Sequence, residues 1–306
     1  MGKLAFVFSG QGAQAPGMGL DLYERSPASR AVFDNLEKIR PGTLEQCFHG
    51  SEAELQETRS TQPCMVAMEL AALAALQEAG FTPDMAAGFS LGELSALCCG
   101  GAMDAETAFR LTCRRGELMQ RAAEACKTGM AAVVKLTNEE VEKLCAAFRQ
   151  VWPVNYNCPG QVTVSGAEEE MAAFSAAVKA AGGRAIPLKV RGAFHSPFMA
   201  EAGEAFRREL AAETLRKPTI PVYANLTGEP YGTEDVAATL GQQMCSPVRW
   251  EASVRGMIAA GAEVFVELGP GKTLCGLIGK TDGSVRCFPV SEMKDIEALG
   301  KELARC

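Results

Sequence analysis

The sequence contains very little histidine and no long apolar segment. Only two of its 306 residues are histidines, His49 and His195, so chemistry that needs an imidazole has two candidates. The longest apolar stretch, residues 65–76, is too short to span a bilayer and contains Glu69. The N-terminal apolar run ends at Phe8, too early for the apolar segment of a secretory signal. These features predict a soluble protein of the cytoplasm.

Positive charge is also scarce. The chain has 30 Lys and Arg against 37 Asp and Glu, which gives a net charge of −7. Nucleic acids are bound by clustered Lys and Arg, so neither a nucleic acid nor a membrane is an expected partner. Apolar residues make up 47% and charged residues 22%, as in ordinary globular proteins.

The sequence has cysteines but lacks a Cys-x-x-Cys motif. Twelve cysteines are scattered along the chain. In a chain of this length such spacing indicates reduced, structural thiols in a reducing compartment. Because only two histidines are present as further ligands, no metal site is expected.

Short apolar strands alternate with helical stretches in the first part of the chain. Residues 4–8 and 85–89 are predicted strands, and residues 90–99 are a predicted helix. Pro63 is interpreted as opening a helix over 65–79, since proline at the first helical position loses no hydrogen bond. The alternation predicts a mostly parallel α/β body resembling the α/β-hydrolases.

The middle of the chain follows a different order. Between residues 128 and 191 the predicted elements run β-α-β-β-α-β, the ferredoxin-like arrangement. Thr137 and Glu140 form a capping-box pattern at the first of its helices, which is predicted to reach Phe148. We therefore expect a ferredoxin-like subdomain at 128–191, inserted in a large body formed by 1–127 and 192–306.

The segment Gly88-Phe-Ser-Leu-Gly92 matches a nucleophile elbow. A predicted strand precedes it and a predicted helix follows, which is the context that lifts a serine hydroxyl clear of a sheet. Ser90 is therefore the candidate nucleophile, and the backbone N–H of Leu91 is a candidate oxyanion donor. The alternative interpretation is an ordinary glycine-flanked turn with a solvated serine.

A serine nucleophile needs a base, and histidine is the usual one. His49 lies in a loop beside a helix start and is interpreted as structural. His195 follows a strand and a glycine turn, on the loop that leaves the small subdomain. His195 is therefore the candidate base, and the sequence does not identify the group that orients its other nitrogen.

Two glycine-rich segments imitate nucleotide-binding loops. In residues 9–17 the third glycine comes too late for a dinucleotide fingerprint, and residues 269–273 lack the first glycine of a phosphate loop. We expect no tightly bound cofactor. The first loop is better interpreted as a second donor loop, with the N–H of Gln11 facing Ser90.

Arg115 falls on the apolar face of a predicted helix over 104–125. A buried, unpaired guanidinium is costly, so Arg115 must have an anionic partner. Periodicity leaves two possibilities open, a carboxylate of the protein and a carboxylate of the substrate.

The chain resembles the malonyl-CoA:acyl-carrier-protein transacylases over essentially its whole length. The matching segments are Gly10-Gln-Gly-x-Gln14, Thr61-Gln-Pro63, Gly88-x-Ser-Leu-Gly-Glu93, Arg115-Gly-Glu-Leu-Met119, Asn157-x-Pro-Gly-Gln161, Ala193-Phe-His-Ser196, Ser246-Pro-Val-x-Trp250 and Glu267-x-Gly-Pro-Gly271. Their order and spacing together are highly specific.

The resemblance implies a ping-pong reaction of fatty-acid synthesis. Ser90 would take malonyl from malonyl-CoA and pass it to the phosphopantetheine thiol of holo acyl carrier protein. His195 would be the base, oriented by the backbone carbonyl of Gln243, and Arg115 would bind the malonyl carboxylate. By the same resemblance the Gln11 and Leu91 N–H groups form the oxyanion hole, and the pocket is lined by Phe89, Phe194, Gln62 and Asn157.

One position departs from the family pattern. Many members have histidine immediately before the serine, where this chain has Phe89. Phe194 matches the malonyl-type Ala-Phe-His pattern, and its bulk is expected to exclude a 2-methyl branch.

Other functions remain open at this point. The chain could serve a polyketide pathway as a trans-acting acyltransferase, or it could be a serine acyl hydrolase. A catalytically silent carrier-binding module is less consistent with the presence of both Ser90 and His195. Because carrier proteins are generally acidic, we name candidate basic contacts, which are Lys189, Arg191, Lys272 and Lys280.

Overall fold

A computed structural model describes residues 2–190, 192–232 and 235–304 of the chain. Its strands are β1 (Lys3–Phe8), β2 (Met85–Gly88), β3 (Thr128–Val134), β4 (Val151–Cys158), β5 (Gln161–Ala167), β6 (Arg184–Pro187), β7 (Val222–Tyr223), β8 (Ala262–Leu268) and β9 (Arg286–Val290). Its helices are α1 (Leu20–Arg25), α2 (Pro27–Ile39), α3 (Thr43–His49), α4 (Thr58–Glu78), α5 (Gly92–Cys99), α6 (Ala105–Ala125), α7 (Asn138–Cys145), α8 (Glu168–Ala180), α9 (Ala200–Ala211), α10 (Val236–Gln243), α11 (Trp250–Ala259), α12 (Thr273–Thr281) and α13 (Met293–Leu303).

The larger sheet is parallel, with strand order β7-β2-β1-β8-β9. Phe8 on β1 is aligned with Gly88 on β2 and with Leu268 on β8. The loops that follow these three strands therefore begin at the same edge of the sheet. In open α/β sheets this carboxyl edge is where ligands bind.

The smaller sheet is antiparallel, with strand order β4-β5-β3-β6. Helices α7 and α8 pack on it around a separate apolar core that includes Val133, Val162 and Phe174. The element order β3-α7-β4-β5-α8-β6 confirms the ferredoxin-like arrangement, and the parallel sheet confirms the α/β body. The domain bounds at 128 and 191 stay a prediction.

Several element limits differ from the prediction. Helix α4 begins at Thr58, so Pro63 lies inside the helix and not at its first position. Helix α5 begins at Gly92 and not at Ser90, because residues 90 and 91 form the turn of the elbow. Helix α7 ends at Cys145, before the predicted Phe148, although its capping box at Thr137 is present. Helices α9, α10 and α12 and strand β9 are among the elements that the sequence did not predict.

The structure also bears on thiols and on membrane spans. Each of the eleven cysteines in the described residues is a free thiol. No helix in the described part of the chain is both long and apolar enough to cross a membrane. Within the same residues, no group of three or more His, Cys, Asp or Glu side chains is placed to hold a metal ion.

Candidate active site

Ser90 sits on a strained turn between β2 and α5. Its φ is +55°, which is uncommon for a residue with a side chain. The flanking glycines are required by close backbone contacts: a Cβ on Gly88 would lie 1.9 Å from the Gly92 oxygen, and one on Gly92 would lie 2.4 Å from the Phe8 oxygen. The Ser90 N–H donates to Asn225 Oδ1 at 2.7 Å, which fixes the turn.

Ser90 and His195 form a hydrogen-bonded pair. Ser90 Oγ lies 2.7 Å from His195 Nε2, and His195 Nδ1 lies 2.9 Å from the backbone oxygen of Gln243. A carbonyl only accepts, so Nδ1 carries the proton and Nε2 is free to accept from the serine hydroxyl. His49, in contrast, is exposed at the end of α3, with its ring against Phe48.

His195 is held as a neutral imidazole. Burial first, and then the positive charge of Arg115, lower its pKa from 6.5 to about 4, against the hydrogen bonds to the backbone of Gln243 and Ser246. The ring is only 4% exposed. At neutral pH it is therefore unprotonated and available as a base.

Arg115 points into the site from α6 and is completely buried. Its Nη1 donates to Gln62 Oε1 at 2.9 Å, and its Nη2 donates to Gln243 Oε1 at 2.7 Å and to Ser90 Oγ at 3.1 Å. Its Nε has no hydrogen-bond partner among the described residues. No carboxylate among these residues forms an ion pair with the Arg115 guanidinium. Burial lowers its pKa to about 10, opposed by the charge of Glu93, so the group remains a cation at neutral pH.

The Ser90–His195 pair opens into a small cavity of about 80 Å³. Its lining includes Gln11, Gln62, Phe89, Met119, Met130, Asn155, Leu188, Val190 and Phe194. A larger cavity of about 210 Å³ adjoins it and shares Gln11, Phe89, Asn155 and Leu188 with it. Asn157 lines this second cavity and not the first. Because Ser90 and His195 line only the smaller cavity, we call it the inner cavity and the larger one the outer channel.

The two predicted oxyanion donors lie at this site. Gln11 lines the inner cavity, and Leu91 directly precedes the first turn of α5. Neither backbone N–H donates to an acceptor within the described residues. The positive end of the α5 dipole adds to the field at this point.

Sequence reasoning missed three residues around the elbow. Asn225, Glu93 and Tyr231 form a buried hydrogen-bonded group directly behind Ser90. Glu93 is the last residue of the family-matching segment 88–93, but the sequence pattern does not indicate its partners. Asn225 and Tyr231 are far from the motif in sequence and carry no signal of their own.

A parallel sheet with an elbow serine, a bonded histidine and a buried arginine is the framework of an α/β acyl-transfer enzyme. The acyl transferase domain family matches residues 5–303. A malonyl CoA-acyl carrier protein transacylase of Bacillus subtilis is 37% identical over 304 residues, covering 97% of this chain and 96% of the relative. That of Escherichia coli K12 is 38% identical over 284 residues, covering 90% and 92%. The chain belongs to the malonyl CoA-acyl carrier protein transacylase family of acyltransferases.

Solved structures agree with this assignment. The malonyl CoA-acyl carrier protein transacylase of Clostridium perfringens superposes with a TM-score of 0.96 at 33% identity, covering 99% of this chain and 98% of that one. A malonyl-transacylase solved in complex with a holo type II polyketide acyl-carrier protein superposes with a TM-score of 0.93 at 33% identity, covering 98% and 99%.

Proposed function

We propose that this chain transfers malonyl from malonyl-CoA to the phosphopantetheine thiol of holo acyl carrier protein, through an acyl-enzyme on Ser90. The observation that carries the proposal is the Arg115 guanidinium, which is fully buried 3.1 Å from the nucleophile and has no direct carboxylate partner among the described residues. A substrate with a free carboxylate would supply the missing anion. Both relatives described above carry the same activity in their names.

The first half-reaction follows from the Ser90–His195 geometry. Ser90 Oγ attacks the thioester carbonyl while His195 Nε2 takes its proton, and the Gln11 and Leu91 N–H groups stabilise the oxyanion. When the tetrahedral intermediate collapses, the carbon–sulfur bond breaks and His195 returns the proton to coenzyme A. The second half-reaction repeats these steps in reverse, with the carrier thiol as nucleophile.

Selection of the acyl group is assigned to the inner cavity. Arg115 binds the malonyl carboxylate, and Gln62, whose oxygen accepts from Arg115, holds the guanidinium in place. Phe194 lines the same cavity and restricts the space beside the α-carbon. Asn157 belongs to the outer channel, where the pantetheine arm would pass.

The carrier protein would approach the outer channel. Lys280 Nζ donates to Gln161 Oε1 at 3.3 Å, and Gln161 lines that channel, so Lys280 is placed at its rim. Lys189 and Lys272 are exposed, and Arg191 lies outside the described residues. A fatty-acid carrier protein is the proposed acceptor, and a cytoplasmic location stays a prediction.

Intact-mass measurement tests the proposal. Brief incubation with malonyl-CoA should add one malonyl mass, and peptide mapping should place it on Ser90. Ser90→Ala should form no adduct while keeping its fold, and holo carrier protein should remove the adduct from the wild type. A stable adduct on Ser90→Ala would refute the nucleophile, and loss of the adduct to water alone would favour a hydrolase.

A further inference from the structure

Glu93 is a buried carboxyl group for which the mechanism above has no use. It lies in the first turn of α5, three residues after the nucleophile, and its side chain is inaccessible to solvent. One oxygen, Oε1, accepts from the Tyr231 hydroxyl at 2.6 Å and from the Asn225 N–H at 3.1 Å. The other, Oε2, accepts from Gln243 Nε2 at 2.7 Å. All three partners are donors, which is the environment of an ionised carboxylate.

The Gln243 amide is fixed between this carboxylate and Arg115. Its Nε2 donates to Glu93 Oε2 and to the backbone oxygen of Ser90 at 2.6 Å, while its Oε1 accepts from Arg115 Nη2 at 2.7 Å. A flipped amide would place its oxygen against two acceptors and its nitrogen against a guanidinium. The orientation is therefore determined by Glu93 on one side and Arg115 on the other.

This arrangement supplies Arg115 with a countercharge at a distance of one amide. A direct ion pair would stabilise the buried guanidinium but would occupy the donors that a substrate carboxylate needs. A neutral amide also accepts one hydrogen bond from Arg115, but it carries no charge that would compete with the substrate anion. The free protein keeps its cation ionised, and a substrate carboxylate can take over the Nη2 donor that contacts Ser90 Oγ.

We propose that Glu93 is a positioning residue that orients Gln243 and thereby holds Arg115 ready for the carboxylate of the acyl substrate. The inference rests on the proposed malonyl transfer and deepens it. It predicts that Glu93 governs acyl selectivity, whereas a merely structural carboxyl would affect malonyl and acetyl transfer alike.

Glu93→Gln is the decisive variant, because it keeps the shape and removes the charge. The new amide can still accept from Tyr231 and Asn225, but its nitrogen then faces Gln243 Nε2, donor against donor. The ratio of kcat/KM for malonyl-CoA to that for acetyl-CoA should fall roughly 10-fold or more, the size of one charged hydrogen bond. Glu69→Gln is the matched control. Glu69 is equally buried and accepts a hydrogen bond from Ser95, which lies on α5 like Glu93, but it does not contact Gln243 or Arg115.

The pH dependence gives a second readout. Burial raises the pKa of Glu93 from 4.5 to about 7, against the bonds from Tyr231, Gln243 and Asn225 and the charge of Arg115. Tyr231 and Arg115 are the titratable groups that face it. The malonyl-to-acetyl ratio should therefore fall in the wild type as the pH drops through about 7 and should stay flat in Glu93→Gln. Tyr231→Phe removes one donor to the carboxylate, so it should raise that midpoint.

Each outcome decides the inference. A Glu93→Gln protein with the wild-type ratio would overturn it and leave malonyl transfer intact. An equal change in Glu69→Gln would show that any buried carboxyl has this effect. If Glu93→Gln does not fold, an unshifted midpoint in Tyr231→Phe would overturn the inference instead. A wild-type protein without any malonyl preference would refute the proposed function itself, and the inference with it.

Discussion

Replacing Arg115 by alanine should separate the two acyl substrates. The guanidinium has no access to solvent, so a malonyl carboxylate brought beside it would leave water and depend on it for compensation. Truncating one partner of such a buried charge pair costs about 2–5 kcal/mol. At about 1.4 kcal/mol per factor of ten, kcat/KM for malonyl-CoA should fall by about 30-fold to a few thousand-fold.

Acetyl transfer should hold or improve in the same variant. Acetyl has no carboxylate to leave unpaired, and Arg115 Nη2 donates to Ser90 Oγ in the free protein, a contact that occupies the nucleophile. Arg115→Lys should recover only part of the malonyl loss, because an ammonium cannot make the planar two-point contact.

The assay compares kcat/KM for malonyl-CoA and acetyl-CoA on the same preparations, after thermal melts have shown that each variant is folded. Arg114→Ala is the matched control: Arg114 is the preceding residue of α6, about a third exposed and paired with Glu117 and Glu209 on the surface. Equal losses for both substrates in Arg115→Ala would show that Arg115 only stabilises the fold, and the reasoning would be refuted.

Three further predictions concern the base and the cavity. His195→Ala should slow acylation about 10²- to 10⁴-fold, the usual cost of losing a general base, while His49→Ala should change the rate little. A larger loss in His49→Ala than in His195→Ala would show that His195 is not the base. Acetyl transfer should be flat near neutral pH and fall as the pH drops through about 4, because burial and Arg115 depress the pKa of His195 and the protonated ring cannot accept. If acetyl transfer instead fell as the pH dropped through about 6.5, burial would not be lowering the pKa of His195. Phe194→Ser should raise methylmalonyl transfer relative to malonyl, and an unchanged ratio would mean that the ring does not limit the space beside the α-carbon.

The parts of the fold with a strong local signal could be predicted. Helix α6 has a capping aspartate, Asp104, whose side chain accepts from the Thr107 N–H at 2.7 Å, and a clear apolar face on which Arg115 stands out. Strands β1 and β2 are short apolar runs that end in glycine turns. Hydrophobic period and turn chemistry determine these elements before any tertiary contact forms.

The elements that depend on tertiary burial could not. Helix α4 is buried on nearly every side, so it lacks the polar face that makes a helix recognisable from its sequence. The sequence therefore predicts a helix that opens at Pro63, although the helix begins at Thr58. Helix α10 is a short stretch with glutamines near its end, and Gln243 is polar and yet buried because Glu93, Arg115 and Ser90 surround it. The hydrophobic periodicity of a sequence cannot indicate that a polar side chain has such a set of buried partners.

Under the proposed mechanism, Gln243 also explains how the Ser90–His195 pair can act without an acidic third residue among the described residues. Its backbone carbonyl accepts from His195 Nδ1, and its side chain accepts from Arg115. A carboxylate at either position would change the site: beside His195 it would raise the pKa of the ring, and beside Arg115 it would compete with the substrate. Gln243 is neutral and is held in place by Glu93, so it orients His195 without raising the pKa of the ring and contacts Arg115 without adding a competing charge. The charge of Glu93 thus acts on the site through an amide, and Arg115 is left without a direct ion pair to any carboxylate of the described residues, ready for an anionic acyl group.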